Sequence, residues 1–344
     1  MSPAGPRPAD RLNVLLDTGV TAGGVAGIAV VTKDSGAPAV AAWRPRDLDR
    51  EPACLIYSVT KTFTATLILL LCEDGLMRLE DSVSRWMPAI PRAGEITVRH
   101  LLSHTSGIPD YGTLAAYHAA VRRSPGTPWT FEEFAAATYE MGFVFAPGTG
   151  WAYSNPGYML LKRIAEAAAA TPYAQLVQDR IVRPLGLART RVVESVQDLR
   201  DLAPGPSHLV GIGGERRDIR DVYHPGWVAH GVLASTASEV AIFLTSVLGH
   251  WLLSPQSVEH MTRGTDVPGA PPPWSRPVYG LGLMGDPDSP LGPLWGHNGS
   301  GPGYEASVFA TIAPGGKPRV AAAICAMEGT STAEILVRQA LALR

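Results

Sequence analysis

The sequence predicts an α+β fold in which helices flank an antiparallel sheet and a second, mostly helical part is attached. Two β-rich runs near the N-terminus are followed by helical segments, and two further β-rich runs near the C-terminus precede a last helix. The β-rich runs cover residues 25–32, 39–43, 306–313 and 319–326, and the last helix covers residues 332–342. We expect the strands from the two ends of the chain to join in one sheet, forming an α/β sandwich.

The first part of the chain predicts a helix, a hairpin and a linker. Apolar residues recur at helical spacing over residues 9–16, and Gly23 and Gly24 are expected to end that helix. A turn at residues 34–36 joins the first two strands into a hairpin. A charged linker, residues 44–51, leads to the Ser58 region.

The middle of the chain predicts short helices separated by loops. The helical patterns cover residues 97–107, 131–141, 157–170 and 238–248. Gly107 stops the first of these helices, Pro156 restarts the third, and Ser238 caps the fourth. Residues 199–224 lack clear periodicity, so they are expected to form an irregular insertion near the mouth of the substrate site.

Composition excludes several classes of function. The 344 residues are 46% hydrophobic and 17% charged with a formal net charge of -2, and no basic run suggests a nucleic-acid partner. The three cysteines, Cys54, Cys72 and Cys325, form no Cys-x-x-Cys pair, so neither a disulfide framework nor a cysteine zinc site is predicted. The N-terminus has no apolar core typical of a secretory signal, which predicts a cytoplasmic protein.

Ser58 and Lys61 stand at the start of an apolar run, residues 62–72. This run is shorter than the roughly 20 residues that cross a bilayer, so it predicts a buried core helix and no membrane span. Side chains three residues apart share one helix face, which makes the Ser58 hydroxyl a neighbour of the Lys61 amine. Burial favours the neutral amine that a general base needs. The alternative is that Ser58 only caps the helix while Lys61 is solvated.

Two further patterns could indicate a metal site and a dinucleotide site, but ordinary structural roles explain them better. His100 and His104 have the spacing of a helical metal pair, but the His-Glu-x-x-His signature is missing and no acidic residue stands at helical spacing to complete a ligand set, so they predict packing and hydrogen-bonding histidines. Residues 280–285 match Gly-x-Gly-x-x-Gly, but no helix follows, which favours a glycine-bearing strand over a dinucleotide site. We therefore expect no metal and no cofactor.

Three motifs together resemble the serine penicillin-binding-protein and β-lactamase superfamily, in the branch that contains class C β-lactamases. Ser58-Val59-Thr60-Lys61 matches Ser-x-x-Lys, Tyr153-Ser154-Asn155 matches Tyr-x-Asn, and His297-Asn298-Gly299 stands in the place of Lys-Thr-Gly or His-Thr-Gly. Secondary similar stretches cover residues 101–107 and 279–282, and the resemblance extends from about residue 25 to 330. The whole chain, residues 1–344, is then expected to be one catalytic unit. Its sheet part would cover about 9–50 and 235–344, and its helical part about 51–234.

The resemblance implies a role for each motif residue. Ser58 would be the nucleophile, Lys61 and Tyr153 would remove its proton, and the backbone N–H groups of Ser58 and Ser300 would form the oxyanion hole. Asn155 would donate to the acyl group's amide, and His297 would hydrogen-bond toward Tyr153 or the leaving group. The residues expected to bind substrate are Asn155, His297, Asn298, Gly299 and Ser300.

The departures from the family pattern shape the functional hypothesis. His297 replaces a lysine and Asn298 a threonine, which weakens attraction for a substrate carboxylate and argues against β-lactam hydrolysis. We therefore expect a serine acyl-enzyme hydrolase or transacylase that acts on a small-molecule ester or amide, for example in antibiotic biosynthesis. The acyl acceptor, water or an amine or alcohol, stays open. The alternatives are a D-aminopeptidase or D,D-carboxypeptidase, and a non-catalytic sensor of acyl compounds.

Overall fold

The computed structural model describes residues 7–21, 24–32, 40–211, 213–269, 271–312 and 317–343. The strands are β1 (Ala26–Thr32), β2 (Val40–Arg44), β3 (Cys54–Leu55), β4 (Arg191–Val193), β5 (Pro206–Ser207), β6 (Arg217–Asp218), β7 (Val232–Ser235), β8 (Thr265–Asp266), β9 (Val278–Tyr279), β10 (Met284–Asp286), β11 (Leu294–Gly301), β12 (Tyr304–Ile312) and β13 (Pro318–Cys325). The α-helices are α1 (Pro8–Gly19), α2 (Thr60–Glu73), α3 (Val98–Leu102), α4 (Ala115–Arg123), α5 (Phe131–Tyr139), α6 (Asn155–Ala169), α7 (Tyr173–Val177), α8 (Arg183–Leu185), α9 (Ile219–Val222), α10 (Ala237–Leu248), α11 (Pro255–Thr262) and α12 (Thr332–Ala342).

One antiparallel sheet joins the two ends of the chain, as predicted. Its eight strands lie in the order β2-β1-β13-β12-β11-β10-β9-β8. Ala26 in β1 pairs with Cys325 in β13, and Gly27 pairs with Trp43 in β2. The predicted hairpin turn at residues 34–36 lies outside the described residues.

Helices cover both faces of the sheet, because successive side chains of its central strands point to opposite faces and are buried on both. In β13, Ala321 and Ala323 pack with α1 and α12, whereas Ala322 and Ile324 belong to the larger core on the other face. Small alanine side chains let helices approach the sheet closely. This arrangement confirms the predicted α+β sandwich.

The α2 helix is buried on all sides. Every residue from Thr60 to Leu71 is buried, which explains why its sequence is almost continuously apolar or threonine. The sequence predicted Ser58 at the start of this helix. The structure places it instead in a separate 3-10 turn, Tyr57–Val59, just before the helix. The turn and the helix follow one another without a break, so the two motif side chains stay close.

Several predicted boundaries were wrong for local reasons. Thr236, not Ser238, caps α10 by accepting a hydrogen bond from the Glu239 N–H. Helix α6 begins at Asn155, two residues before the predicted start at residue 157, and Ser154 caps it. The predicted glycine-bearing strand is two short strands, β9 and β10, joined by a turn in which Gly282 adopts φ +73°.

No helix in the described part of the chain is both long enough and apolar enough to cross a bilayer. The predicted irregular insertion carries β5, β6 and α9, and residue 212 within it lies outside the described residues.

Candidate active site

Ser58 is presented to a cavity of about 520 Å³ by a strained turn. The preceding residue, Tyr57, is buried and has φ 41°, a left-handed conformation that non-glycine residues adopt at a cost of about 1–3 kcal/mol. The Tyr57 hydroxyl donates to the carbonyl of Pro302, between β11 and β12, and so holds the turn against the sheet. The strain therefore persists because the sheet fixes it.

Strand β11 runs directly against the Ser58 turn at Gly299. A Cβ atom at Gly299 would overlap the carbonyl oxygen of Ile56 and come within 3.0 Å of the Ser58 backbone nitrogen. Only glycine permits this approach, so the third motif needs its glycine for contact. The approach brings the neighbouring Ser300 to the same cavity as Ser58.

The Lys61 side chain is fully buried and makes three polar contacts. Its Nζ lies 3.1 Å from the Ser58 Oγ, 2.7 Å from the Asn155 Oδ1 and 2.8 Å from the Nε2 of His230. Burial lowers the pKa of Lys61 to about 7, and the nearby Asp110 carboxylate opposes this shift. A large share of Lys61 is thus neutral near pH 7, the form that can accept a proton.

Asp110 fixes the orientation of Asn155. The Asn155 Nδ2 donates to both carboxylate oxygens of Asp110, at 3.0 and 3.2 Å, and the Asn155 backbone N–H donates to the same group at 3.1 Å. The carboxamide oxygen is thereby turned toward Lys61. Asp110 thus engages the Asn155 Nδ2, and the donation from Asn155 to a substrate amide stays a prediction.

Tyr153 stands beside Lys61 on the cavity wall. The Lys61 Nζ lies 4.9 Å from the centre of the Tyr153 ring. Burial raises the pKa of the Tyr153 phenol well above its usual value, and a hydrogen bond with Ser58 only partly offsets this effect. The phenol is therefore protonated at neutral pH, when Lys61 is partly neutral.

The ring of His297 is engaged on both nitrogens. Its Nδ1 donates to the Asn298 carbonyl at 2.5 Å, so its Nε2 accepts from the Tyr279 hydroxyl at 2.9 Å. Burial lowers the pKa of His297 to about 3, which keeps the ring neutral. The predicted hydrogen bond from His297 toward Tyr153 is replaced by the bond with Tyr279.

His104 fills the space between the aromatic residues of this wall. Its ring centre lies 4.4 Å from that of Tyr153 and 4.5 Å from that of Tyr279. Its Nδ1 accepts the Ser154 N–H at 3.1 Å, while the His100 Nδ1 accepts the Thr97 N–H at 3.3 Å. The predicted packing and hydrogen-bonding roles of the two histidines are confirmed.

Both polar atoms of the Asn298 side chain have hydrogen-bond partners in the wall of the cavity. Its Nδ2 donates to the Glu334 carboxylate at 2.7 Å, and its Oδ1 accepts from the Ser307 hydroxyl at 2.7 Å. Glu334 in turn accepts from Arg338 at 2.8 Å. Asn298 is therefore held by the cavity wall, with one of its two Nδ2 N–H groups committed to Glu334.

The structure brings the predicted residues together. Those that line the cavity are Ser58, Tyr153, Asn155, His297, Asn298, Gly299 and Ser300. Lys61 is not among the lining residues, but its Nζ contacts the Ser58 Oγ. The described lining residues include none from residues 199–224, where the substrate mouth was expected. Sequence reasoning missed Asp110, His230 and Glu334, which stand in no motif. Tyr279 did lie in a noted stretch, but without a role.

Comparison with known proteins agrees with this geometry. Penicillin-binding protein 4* of Bacillus subtilis is 29% identical over 277 residues, which cover 74% of this chain and 57% of that protein. The esterase EstB of Burkholderia gladioli is 32% identical over 142 residues, or 38% of this chain and 36% of that protein. The chain therefore spans about half, or less, of the length of the curated relatives it matches.

One solved structure superposes on this protein over almost the whole length of both chains. The D-stereospecific amidohydrolase from Streptomyces sp. superposes with a TM-score of 0.80 at 27% identity, over 96% of this chain and 98% of that chain. Residues 12–326 match the protein family described as beta-lactamase. This match takes in the Ser58, Tyr153 and His297 motifs and most of the sheet. The chain therefore belongs to the beta-lactamase family, within the serine penicillin-binding-protein and β-lactamase superfamily.

Proposed function

We propose that this protein is a serine hydrolase that forms an acyl-enzyme on Ser58 from an ester or amide of a small molecule. The observation that carries the proposal is the fully buried Lys61 amine, whose Nζ lies 3.1 Å from the Ser58 Oγ. A serine hydroxyl is a weak nucleophile unless a neighbouring base removes its proton. Burial brings the pKa of Lys61 to about 7, close to the operating pH at which a general base is most effective.

In the proposed reaction, Lys61 takes the Ser58 proton while the Ser58 oxygen attacks the substrate carbonyl. The resulting oxyanion accepts hydrogen bonds from the backbone N–H groups of Ser58 and Ser300, which line the same cavity. Tyr153, protonated at neutral pH, donates its proton to the leaving group and is reprotonated from Lys61. The C–O or C–N bond then breaks and leaves the acyl group on Ser58.

The second half of the cycle transfers the acyl group to an acceptor. Water would complete a hydrolysis, whereas an amine or alcohol seated in the cavity would complete a transacylation. Both acceptors need the same base, and Lys61 is placed to supply it. The site therefore supports hydrolysis as the basic activity, with transacylation as its extension when an acceptor outcompetes water.

The cavity favours substrates without a carboxylate beside the reacting bond. Asn298 is held by Glu334 and Ser307, and His297 is neutral with both nitrogens engaged. Glu305 and Glu334 also line the cavity and present negative charge. These features support an ester or amide over a penicillin, whose carboxylate would meet no cation among the described lining residues.

A peptidase-like amidase is the second candidate. It is favoured by the near-complete superposition on the D-stereospecific amidohydrolase from Streptomyces sp.. An amide with a neutral or cationic amino group suits the same acidic wall. Matched L- and D-amino acid amides and esters would separate this candidate from a simple esterase, because only an amidase should release ammonia from the amide.

Intact-mass spectrometry after incubation with activated esters tests the proposal. We expect the wild-type protein to gain one acyl group, located on Ser58 by peptide mapping, and Ser58→Ala to gain none while keeping its fold. Added amines should divert product from acid to amide only if transfer occurs. An S58A protein that turned over esters at the wild-type rate would overturn the proposal, and a wild type that bound esters without acylation would favour the sensor alternative.

A further inference from the structure

His230 is a buried histidine at the catalytic amine that belongs to none of the family motifs. Its Nε2 lies 2.8 Å from the Lys61 Nζ, and the side chain is 2% exposed. Building on the proposed role of Lys61 as a base, we propose that His230 is a positioning residue. It accepts one Lys61 N–H and thereby directs the Lys61 lone pair at the Ser58 hydroxyl.

The segment that carries His230 is tied to both sides of the Ser58 turn. His230 lies just before β7, whose Leu233 carbonyl accepts the Ile56 N–H at 2.9 Å. The Leu233 N–H donates to the Thr60 hydroxyl at 3.1 Å. His230 and Ser58 are therefore mounted on one hydrogen-bonded unit, which fixes the distance from the imidazole to Lys61.

A count of donors and acceptors assigns the direction of each bond. The Asn155 Oδ1 can only accept, so it receives the first Lys61 N–H. A neutral amine has two N–H groups and one lone pair, and the lone pair must face Ser58 to take its proton. The second N–H must then go to the Nε2 of His230, which leaves the His230 proton on Nδ1.

The same arrangement also suits the charged state that follows proton transfer. The Lys61 ammonium has three N–H groups, which match three acceptors, the Ser58 Oγ, the Asn155 Oδ1 and the Nε2 of His230. If the Nε2 of His230 carried a proton instead, it would occupy the Lys61 lone pair and compete with Ser58. Only the Nδ1–H tautomer serves both states.

The surroundings keep His230 neutral and give its ring no other anchor. Burial lowers its pKa well below the usual value, and nearby positive or ionisable groups add to this effect. The titratable groups that face the Lys61–His230 pair are Asp110, His104, Tyr153, Tyr158, Lys162 and His297. The His230 Nδ1 has no hydrogen-bond partner within the described residues, so the Lys61 amine is the hydrogen-bond partner that orients the ring there.

Two substitutions separate the acceptor from the bulk of the ring. His230→Leu keeps an apolar volume but removes the acceptor, whereas His230→Gln keeps a carbonyl acceptor. For acylation by an activated ester we expect H230L to lose about 10- to 100-fold in kcat with KM little changed, because the lone pair is no longer aimed. H230Q should stay within about fivefold of the wild type.

The pH profile distinguishes positioning from a loss of packing. Without the His230 acceptor the Lys61 ammonium loses one hydrogen bond, so the acid limb of kcat/KM should move to lower pH in H230L and not in H230Q. If H230L and H230Q lost the same factor in kcat and the acid limb of kcat/KM stayed at the wild-type pH in both, His230 would have a structural role and the inference would be overturned. If H230L forms the acyl-enzyme as fast as the wild type, only the inference about His230 fails. If the wild type never forms an acyl-enzyme, the proposed function itself is contradicted.

A measurement on the unaltered protein covers the case in which H230L does not fold. Nitrogen chemical shifts of ¹⁵N-histidine-labelled protein report which ring nitrogen carries the proton, and the H230Q spectrum assigns the His230 signals. We expect a protonated Nδ1 and an Nε2 that accepts a hydrogen bond. A protonated Nε2 would contradict the inference.

Discussion

The Asp110 carboxylate accepts both the backbone and the side-chain N–H groups of Asn155, and this pair sets the acceptor that faces Lys61. Asp110 lies in the chain some distance from each motif, yet it orients one motif residue toward another. The charge of Asp110 also raises the pKa of Lys61 against the larger lowering effect of burial. Geometry and basicity at the nucleophile therefore depend on one carboxylate behind the site.

The activity of the wild-type enzyme should rise with pH as Lys61 loses its proton. The neutral amine is the active form and the pKa of Lys61 is about 7, so kcat/KM for a neutral ester should increase tenfold per pH unit below about 7 and level off above it. Burial raises the pKa of Tyr153 above its usual value of about 10, so no falling limb is expected below that pH. Stopped-flow acylation rates from pH 5 to 10 measure this profile, and a flat profile across that range would contradict the role of Lys61.

Asp110→Asn should alter both the rate and the pH profile. Loss of the carboxylate frees the Asn155 amide to turn, so we expect kcat to fall about tenfold. Because the Asp110 charge raises the pKa of Lys61, its removal should move the acid limb to lower pH. Asp179→Asn, a change at a surface ion pair with Arg183, is the matched control and should leave both quantities unchanged. A D110N limb that stayed in place would show that Asp110 does not act through Lys61.

Gly299→Ala should separate strand β11 from the Ser58 turn. The added methyl group would overlap the Ile56 carbonyl, and the forced displacement should cost about 1–3 kcal/mol of unfolding free energy. It should also reduce acylation by more than about 100-fold, since an oxyanion-hole donor is moved. Gly94→Ala, where an added Cβ meets no atom within 4 Å, should change neither the melting temperature nor the rate. An active G299A enzyme would mean that β11 does not contribute to the reaction.

Glu334→Gln should relax the discrimination against anionic substrates. The Glu334 carboxylate lines the cavity and holds Asn298, so removing its charge lowers the repulsion of a substrate carboxylate. We expect kcat/KM for a carboxylate-bearing ester to rise about fivefold relative to its neutral analogue, with the gain reduced at high salt. Exposed Glu140, whose charge lies outside the described lining of the cavity, provides Glu140→Gln as the control. If the ratio of kcat/KM between the carboxylate-bearing ester and its neutral analogue did not change, groups other than Glu334 would determine this specificity.

The parts of the fold and site that sequence could predict are those with local signals. Ser58 and Lys61 lie three residues apart, so helical spacing predicted their contact, and the contact holds although Ser58 lies in the 3-10 turn before α2. The terminal strands and α12 were recognised because β-rich runs and turn residues mark them. The cap of α10 was misplaced by two residues because Thr236 and Ser238 carry equivalent hydroxyl groups, and only the fold decides which one faces the helix end.

The residues that sequence missed act across long separations. His230 and Lys61 are 169 positions apart, and Asn155 and Asp110 are 45 apart. An isolated histidine or aspartate carries no local pattern that marks it as a partner of a lysine. The bond between His297 and Tyr279 was missed for a similar reason, since Tyr279 reaches His297 only through the pairing of β9, β10 and β11.

The strand order also determines when the site around Ser58 can form during synthesis of the chain. Strand β11, which presses against the Ser58 turn, is linked to the N-terminal hairpin only through β12 and β13. A ribosome that has made the nucleophile and its lysine has therefore not yet made the strands that lock β11 in place. We expect Ser58 to gain reactivity only after β12 and β13 have been made and have joined β11 to β1 in the sheet.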